Sequence, residues 1–283
     1  MRKLLSWRVA TSLVSAMAVL FLLNARSAES HQFPSSDEYK WSPDRASYMP
    51  IDRSTVLAKG FEYVVVLPNR WKVGQDIHVC FSGGDHALRQ RVLKVAAPWF
   101  QHARLQLVEE VPDTCKPKDQ SEIRIGFAEP GYWSYIGTDS LSDNLVSKSL
   151  SSMNFQGFDK TPPAEPEFTG IVLHEFGHAL GFHHEHQSPA SGCDAEYDWT
   201  KLYAYYSTNY GWGKDEVDQN VRQLASDRSA YDWSEIDPDS IMIYASDPQF
   251  LIHGTSSPCY FHANNKLSPT DIKGVEKTYP KTQ

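Results

Sequence analysis

The stretch from Gly170 to Pro189 reads G-I-V-L-H-E-F-G-H-A-L-G-F-H-H-E-H-Q-S-P and contains the order H-E-x-x-H. Residues four apart share one face of an α-helix, so His174 and His178 can offer two imidazoles to a single ion. Neutral imidazole nitrogens are typical ligands of Zn²⁺. Glu175 directly follows the first of these histidines, which places a carboxylate beside the ion without making it a ligand. The pattern therefore predicts a helix that holds one catalytic Zn²⁺ ion.

A catalytic zinc ion needs a third protein ligand and one open position for water. His184 is the predicted third ligand, because Gly181 can end the helix in a tight turn that brings the chain back toward the ion. His183 and His186 flank this position, but the spacing favours His184. In another class of zinc site, a downstream glutamate such as Glu196 would be the third ligand instead.

The first 28 residues differ in character from the remainder. Basic residues precede a mostly apolar run, 9–23, which is too short for a comfortable membrane span and is typical of a signal peptide. We expect cleavage after Ser27 or Ala28, and the alternative is an uncleaved membrane anchor. Residues 29–69 are predicted to be a leader or pro-segment, and residues 70–283 the catalytic domain. The expected destination is the extracellular space or the periplasm, with no stable membrane insertion.

The charge of the chain argues against one class of partner. Removing residues 1–28 takes away four basic residues and no acidic ones, which moves the formal charge from −8 to −12. Contacts to phosphate depend on Lys and Arg, so an acidic exported chain is a poor binder of nucleic acid. The remaining length is sufficient for one well-buried domain.

All four cysteines lie after the predicted signal peptide, and none forms a C-x-x-C pair. In an exported chain, such a separated and even set predicts two disulfides. A zinc site built from cysteines is the alternative, and the wide spacing argues against it. Of the three possible pairings, we favour Cys80 with Cys115 and Cys193 with Cys259.

The residue pattern before the zinc helix alternates strand-like and helix-like segments. Strand-like runs lie at 61–67, 77–81, 105–111, 123–127, 131–137 and 151–155, and residues 88–105 have helical spacing. Pro98 is expected to kink or end that helix. The order strand, helix, strand, strand predicts an α+β fold with a mixed sheet and helices packed on it.

A second motif, S-I-M-I-Y at residues 240–244, follows the extended zinc pattern H-E-x-x-H-x-x-G-x-x-H. At this point the chain resembles the metzincin zinc metallopeptidases, which combine that pattern with a methionine-containing turn below the metal. It is most similar to the astacin-like branch, as a divergent member. The supporting positions are Glu185 after the third histidine, the T-G-I-V run at 169–172 and L-S-P-T-D-I at 267–272. The run His186 to Pro189 departs from the usual family pattern.

The resemblance implies a two-subdomain fold. The N-terminal subdomain would hold the twisted mixed sheet and helices, and the irregular C-terminal subdomain the Met-turn. The active-site cleft would lie between them, with the division near Gly181. Met242 would form the floor of the metal site, Tyr244 would stabilise the transition state, and Glu185 would meet the mature N-terminus. Four further residues would form the sheet edge along which a peptide lies: Ser152, Met153, Asn154 and Phe155.

These observations predict a secreted, monomeric zinc endopeptidase that acts on proteins or peptides. In this reading, Glu175 activates a zinc-bound water, which attacks the peptide carbonyl. Two other functions are alternatives. The first is hydrolysis of a non-protein amide, such as a cell-wall cross-link, which uses the same chemistry. The second is a zinc-containing binding module with vestigial activity.

Overall fold

The computed structural model describes residues 29–31, 63–129 and 131–281. The predicted signal peptide and most of the predicted leader lie outside the described residues. The strands are β1 (Glu29–His31), β2 (Val64–Val66), β3 (Asp76–Phe81), β4 (Gln106–Thr114), β5 (Ile123–Gly126), β6 (Tyr132–Ser134), β7 (Met153–Phe155) and β8 (Tyr231–Trp233). The helices are α1 (His86–His102), α2 (Asp143–Ser147), α3 (Glu167–Ala179), α4 (Trp199–Tyr210), α5 (Lys214–Val221) and α6 (Pro269–Thr278). None of these described helices has the length and apolar character needed to cross a bilayer.

The main sheet has six strands in the order β1-β6-β7-β5-β3-β4. The pairs β3–β4, β3–β5 and β5–β7 are parallel, whereas β6 runs antiparallel to β7. On its other side, β6 pairs antiparallel with β1. A separate two-stranded sheet joins β2 to β8. The predicted mixed α+β architecture is therefore confirmed.

The strand-like runs of the sequence coincide with β2 to β7, but α1 differs from its prediction in one respect. The helix continues beyond Pro98 to His102 instead of ending at the proline. Trp99 on this last turn is fully buried, and its indole Nε1 donates a hydrogen bond to the Leu173 carbonyl of α3 at 2.9 Å. Burial against α3 stabilises the turn, which offsets the backbone hydrogen bond that proline cannot make.

The prediction that residues 152–155 form the substrate-binding edge of the sheet is wrong. Strand β7 lies between β5 and β6, and hydrogen-bonded pairing occupies both of its sides. The four residues concerned, Ser152, Met153, Asn154 and Phe155, are all buried. An apolar run reads as a strand in either position, so the sequence could not separate an edge strand from an interior one. Among the described strands, β1 and β4 form the two edges of the sheet, and β6 would become an edge if β1 were removed.

The last residues of the predicted leader, 63–69, belong to the folded domain in the structure. Tyr63, Val64 and Val65 are almost fully buried, and Tyr63 and Val65 belong to the main hydrophobic core. The strand also contacts the zinc segment, because the His183 backbone N–H donates to the Val64 carbonyl at 3.0 Å. Residues 63–69 are therefore part of the folded domain, and a boundary at residue 70 would remove β2 from its core.

Two disulfides join Cys80 to Cys115 and Cys193 to Cys259, the pairing favoured from the sequence. The first links β3 to the residue after β4. The second lies in a smaller hydrophobic cluster built from residues after Gly181. The larger cluster contains the core of the sheet, α1 and α3, and it also takes in Met242 and α6 residues from the end of the chain. The C-terminal half therefore contributes to both clusters.

Candidate metal centre

Helix α3 holds the first two predicted ligands and ends in a turn that delivers the third. The Phe182 N–H donates to the Gly177 carbonyl at 3.0 Å, and the Gly181 N–H donates to the His178 carbonyl at 2.8 Å. These two bonds are those of a Schellman cap, which needs a left-handed residue at its centre. Gly181 meets this need with a φ of 93°. The turn brings His184 back beneath the helix.

The three predicted ligands converge on one point. Nε2 of His178 lies 3.1 Å from Nε2 of His174 and 3.1 Å from Nε2 of His184. All three side chains are buried. Nitrogen atoms bound to one tetrahedral zinc ion at about 2.0 to 2.1 Å lie roughly 3.3 to 3.4 Å from each other. The spacing of the three nitrogens therefore fits a single Zn²⁺ ion.

The other ring nitrogens fix the tautomer of each histidine. The three Nδ1 atoms lie 2.7–2.8 Å from acceptor oxygens, which are the Ile241 carbonyl for His174, the Phe182 carbonyl for His178 and Gln187 Oε1 for His184. A carbonyl oxygen only accepts, so each Nδ1 carries the proton and each Nε2 presents a lone pair. Burial and the adjacent His174 also hold the pKa of His178 well below its usual range, which keeps the ring neutral.

Glu175, the predicted general base, lies on α3 directly after the first ligand and is fully buried. The alternative third ligand, Glu196, lies elsewhere. Its carboxylate contacts His253 Nδ1 at 3.0 Å and the Ser257 hydroxyl at 2.7 Å, and it is not part of the histidine cluster. The structure therefore supports His184, and not Glu196, as the third ligand.

Met242 packs directly against the ligand helix. A Cβ atom placed on Gly177 would lie 2.2 Å from the Met242 sulfur and 3.1 Å from the Trp99 ring. Gly177 stands one residue before His178, so this contact lies immediately beside the ligands. Only a residue without a side chain allows the methionine to approach the helix this closely.

The segment around Met242 is held by a buried carboxylate. Asp271 Oδ2 accepts hydrogen bonds from the Ile241 and Ser268 N–H groups, and Asp271 Oδ1 accepts one from the Ser240 hydroxyl at 2.7 Å. Complete burial raises the pKa of Asp271 to about 6, although these hydrogen bonds act in the opposite direction. The sequence analysis gave Asp271 no role of its own. The available signal was the S-x-x-D spacing from Ser268, which forms a capping box at the start of α6.

Tyr244 and Glu185 both lie close to the histidine cluster. The Tyr244 ring centroid is 4.1 Å from that of His184 and 5.5 Å from that of His174. Glu185 is buried, its N–H donates to the Met242 carbonyl, and its Oε1 accepts from the Asp237 N–H at 3.2 Å. The structure thus brings both residues to the metal centre, while their predicted roles stay predictions.

A second group with metal-binding side chains lies at the start of α1. It consists of His86, Glu109 and Asp113, and it is partly exposed. Arg89 Nη1 already contacts Asp113 at 2.5 Å, and the Gln90 amide contacts both oxygens of Glu109. These partners satisfy the carboxylates without a metal ion.

Solved structures identify the class of protein that this fold and site define. No protein-family model and no curated protein sequence matches the chain. One structure of myroilysin is 31% identical with a TM-score of 0.66, and the match covers 78% of this chain and 100% of that one. A second myroilysin structure is 30% identical with a TM-score of 0.51, covering 75% and 86%. High choriolytic enzyme 1, a hatching enzyme zinc-protease from Oryzias latipes, is 16% identical with a TM-score of 0.47, covering 74% and 93%.

The protein is a zinc metallopeptidase of the metzincin type. Within that class, the chain belongs to the astacin-like metallopeptidases as a divergent member. This confirms the family predicted from the zinc pattern and the S-I-M-I-Y motif. A single catalytic zinc ion held by His174, His178 and His184 is consistent with both the geometry and the family.

Proposed function

We propose that the protein is a secreted zinc endopeptidase in which Glu175 is the general base. One observation carries the proposal: three buried Nε2 atoms converge on a point beside a buried glutamate, with every Nδ1 held by an acceptor. When bound, Zn²⁺ supplies a positive charge that lowers the pKa of a water from about 15.7 to about 7 and polarises a peptide carbonyl. His174, His178 and His184 would hold the ion.

Two side chains of the protein would handle protons and developing charge. The Glu175 carboxylate would take a proton from the attacking water and deliver it to the nitrogen of the leaving amine. The Tyr244 hydroxyl would donate a hydrogen bond to the carbonyl oxygen as it becomes negative. A donor of this kind is worth about 10²- to 10³-fold in kcat. The stacking of the Tyr244 ring on the ligand rings supports this assignment.

The substrate would bind as an extended strand along the outer edge of β6, residues Tyr132 to Ser134. In the unprocessed chain this edge pairs with residues Glu29 to His31 of β1, in antiparallel register. A protein or peptide substrate would replace β1 and make the same backbone hydrogen bonds. The proposal therefore moves the substrate strand from β7 to β6.

Secretion is supported by the two disulfides, which persist in oxidising compartments, together with the predicted signal peptide. After trimming of the leader, the new N-terminus would approach Glu185. This buried glutamate lies next to Ser188, whose hydroxyl contacts the Ser234 carbonyl, and Ser234 in turn bonds to the backbone of Tyr63. The first described residue of the folded domain therefore lies in the neighbourhood of Glu185.

Cleavage-site profiling with a peptide library would test the proposal. The trimmed protein should cut peptides, a zinc chelator should stop the reaction, and added zinc should restore it. The Glu175→Gln variant should bind zinc as the parent does and lose about 10²- to 10⁴-fold in kcat. If this variant cleaved at the parent rate, Glu175 would not be the base. A zinc-loaded parent that cut no peptide would contradict endopeptidase function.

A further inference from the structure

His186 lies at the metal centre but is not one of the three converging ligands. It sits in the short 3-10 turn Glu185–Gln187 that follows the third ligand, and only 1% of its surface is exposed. Peptide hydrolysis as proposed above gives this residue no task. A histidine buried this deeply beside a catalytic site needs a physical explanation, because burial of a polar ring is costly unless the ring is held.

The contacts of His186 are specific. Its ring stacks on Tyr244 with centroids 5.0 Å apart and an interplanar angle of 23°, and it stacks on His184 at 5.1 Å and 20°. Nε2 lies 3.2 Å from the Asn220 carbonyl, so Nε2 carries the hydrogen and donates it. Nδ1 is buried and makes no hydrogen bond to any described residue.

The carbonyl that anchors His186 belongs to a well-fixed segment, residues 220–224. The adjacent Gln187 donates from Nε2 to the Arg222 carbonyl at 3.0 Å and accepts from the Leu224 N–H at 2.8 Å. The Arg222 guanidinium forms ion pairs and lies 4.0 Å above the Trp199 ring. His186 is therefore held by a part of the chain that has its own independent attachments.

We infer that His186 is the positioning residue for Tyr244, holding the phenol ring where its hydroxyl can reach the reacting carbonyl. The inference deepens the proposed function and rests on it. Three imidazoles surround the Tyr244 ring among the described residues, and two of them belong to metal ligands. His186 is the third of these rings, and its bond to the Asn220 carbonyl fixes its orientation.

This arrangement explains why a histidine suits the position. The flat ring offers a stacking face to Tyr244, and Nε2–H offers the bond that prevents the ring from turning. Without the ring, a space would open beside Tyr244 and the phenol could rotate into it. A loosened hydroxyl would donate a poorer hydrogen bond in the transition state, while substrate binding and zinc binding would be little affected.

The first experiment compares His186→Ala with His186→Phe in the trimmed, zinc-loaded protein. His186→Ala should lower kcat by about 10- to 100-fold, as loss of supporting residues around metal sites does, with KM changed by no more than about twofold. His186→Phe keeps the stacking ring but loses the bond to the Asn220 carbonyl, so its kcat should lie between that of the parent and that of His186→Ala. His253→Ala is the matched control, because this exposed histidine contacts Glu196 and is not part of the histidine cluster. Parent-like kcat in His186→Ala would overturn the inference.

The second experiment separates positioning of Tyr244 from general support of the fold. In the Tyr244→Phe background, which lacks the hydroxyl, His186→Ala should reduce kcat by no more than about twofold, because the two changes remove the same contribution. An undiminished loss in that background would show that His186 acts by another route. Zinc stoichiometry and thermal unfolding of each variant are measured alongside.

A structural measurement, which does not depend on turnover, separates the role of His186 from the proposed endopeptidase function. In a crystal structure of zinc-loaded His186→Ala, the Tyr244 ring should be displaced or present in more than one orientation. A Tyr244 ring in its parent position would contradict the inference even if the parent enzyme proved inactive. Absence of peptide cleavage by the parent would contradict the proposed function instead.

Discussion

His174 and Asp271 are joined through the backbone of a single residue, Ile241. Nδ1 of His174 donates to the Ile241 carbonyl at 2.8 Å, and the Ile241 N–H donates to Asp271 Oδ2 at 2.9 Å. The orientation of the first zinc ligand is therefore linked to the first turn of α6. The linking carboxylate is completely buried, which makes it sensitive to protonation.

The first prediction concerns the pH dependence of stability at Asp271. Its pKa in the folded protein is raised from 3.8 to about 6, so the folded state binds this proton more tightly than the unfolded state does. The contribution of the group to stability is therefore largest below pH 4 and is lost as the pH rises through about 6. Relative to Asp271→Asn, the parent should gain about 2 kcal/mol in free energy of unfolding between pH 7.5 and pH 4.5.

Urea unfolding of the two proteins across this pH range would measure the difference. Asp227→Asn is a suitable control, because hydrogen bonds from Ser229 lower the pKa of Asp227. For this residue the parent should lose stability relative to the variant as the pH falls, which is the opposite sign. A pH-independent difference for Asp271→Asn would contradict the raised pKa.

A second prediction concerns Gln187 and the affinity for zinc. Gln187 Oε1 holds Nδ1 of His184 at 2.7 Å and so fixes the tautomer and direction of the third ligand. Gln187→Ala should weaken zinc binding by about 10- to 100-fold, measured by competition with a coloured chelator. Gln90→Ala, which removes an exposed glutamine that contacts Glu109, should bind zinc as the parent does. Equal affinities for all three proteins would rule out this role.

A third prediction concerns the contact between Gly177 and Met242. Gly177→Ala forces a methyl group to within 2.2 Å of the Met242 sulfur, so the methionine must move. We expect a loss of about 1 to 3 kcal/mol in stability, since overpacking a core has this cost. The same substitution should cost less in the Met242→Ala background, where only the Trp99 ring remains close. If the two substitutions had strictly additive effects on thermal unfolding, a steric clash between residues 177 and 242 would be excluded.

A fourth prediction concerns removal of the leader. Because β1 pairs with β6, the uncut chain covers the edge on which a peptide should bind. Cleavage between residues 31 and 63 should therefore raise kcat/KM, measured with one fluorogenic peptide before and after the cut. A chain that begins at residue 70 is the comparison: it lacks β2 and should unfold at a much lower temperature, since Tyr63, Val64 and Val65 are buried. Equal activity before and after cleavage would contradict the covering role of β1.

The chemistry of the site was predictable from the sequence because it depends on local spacing. The separations of His174, His178 and His184 follow from helical geometry and from one glycine, and these do not depend on the rest of the fold. The family followed because the zinc pattern and the 240–244 motif are both specific. The positions of the strands could also be predicted from the sequence, because apolar runs bounded by turn residues mark them.

What the sequence could not provide were long-range relationships. Whether a strand lies inside the sheet or at its edge depends on its partners, and for that reason Ser152 to Phe155 were wrongly predicted to form an edge. The boundary of the leader was misplaced for a related reason. Residues Tyr63 to Val65 have a strand-like pattern, but their burial depends on β8 and α6, more than 160 residues away. The roles of Asp271 and His186 likewise become visible only when distant segments are brought together.

The link between His174 and Asp271 also implies that the metal site forms late during synthesis and folding. The ligand histidines are made before α6, yet Ile241, whose carbonyl orients His174, is held by Asp271 only after residue 271 has been synthesised and α6 has formed. A partly synthesised chain should thus lack a finished metal site. We expect the protein to acquire its hydrolytic capacity only after α6 has folded, which would protect the cell that makes it.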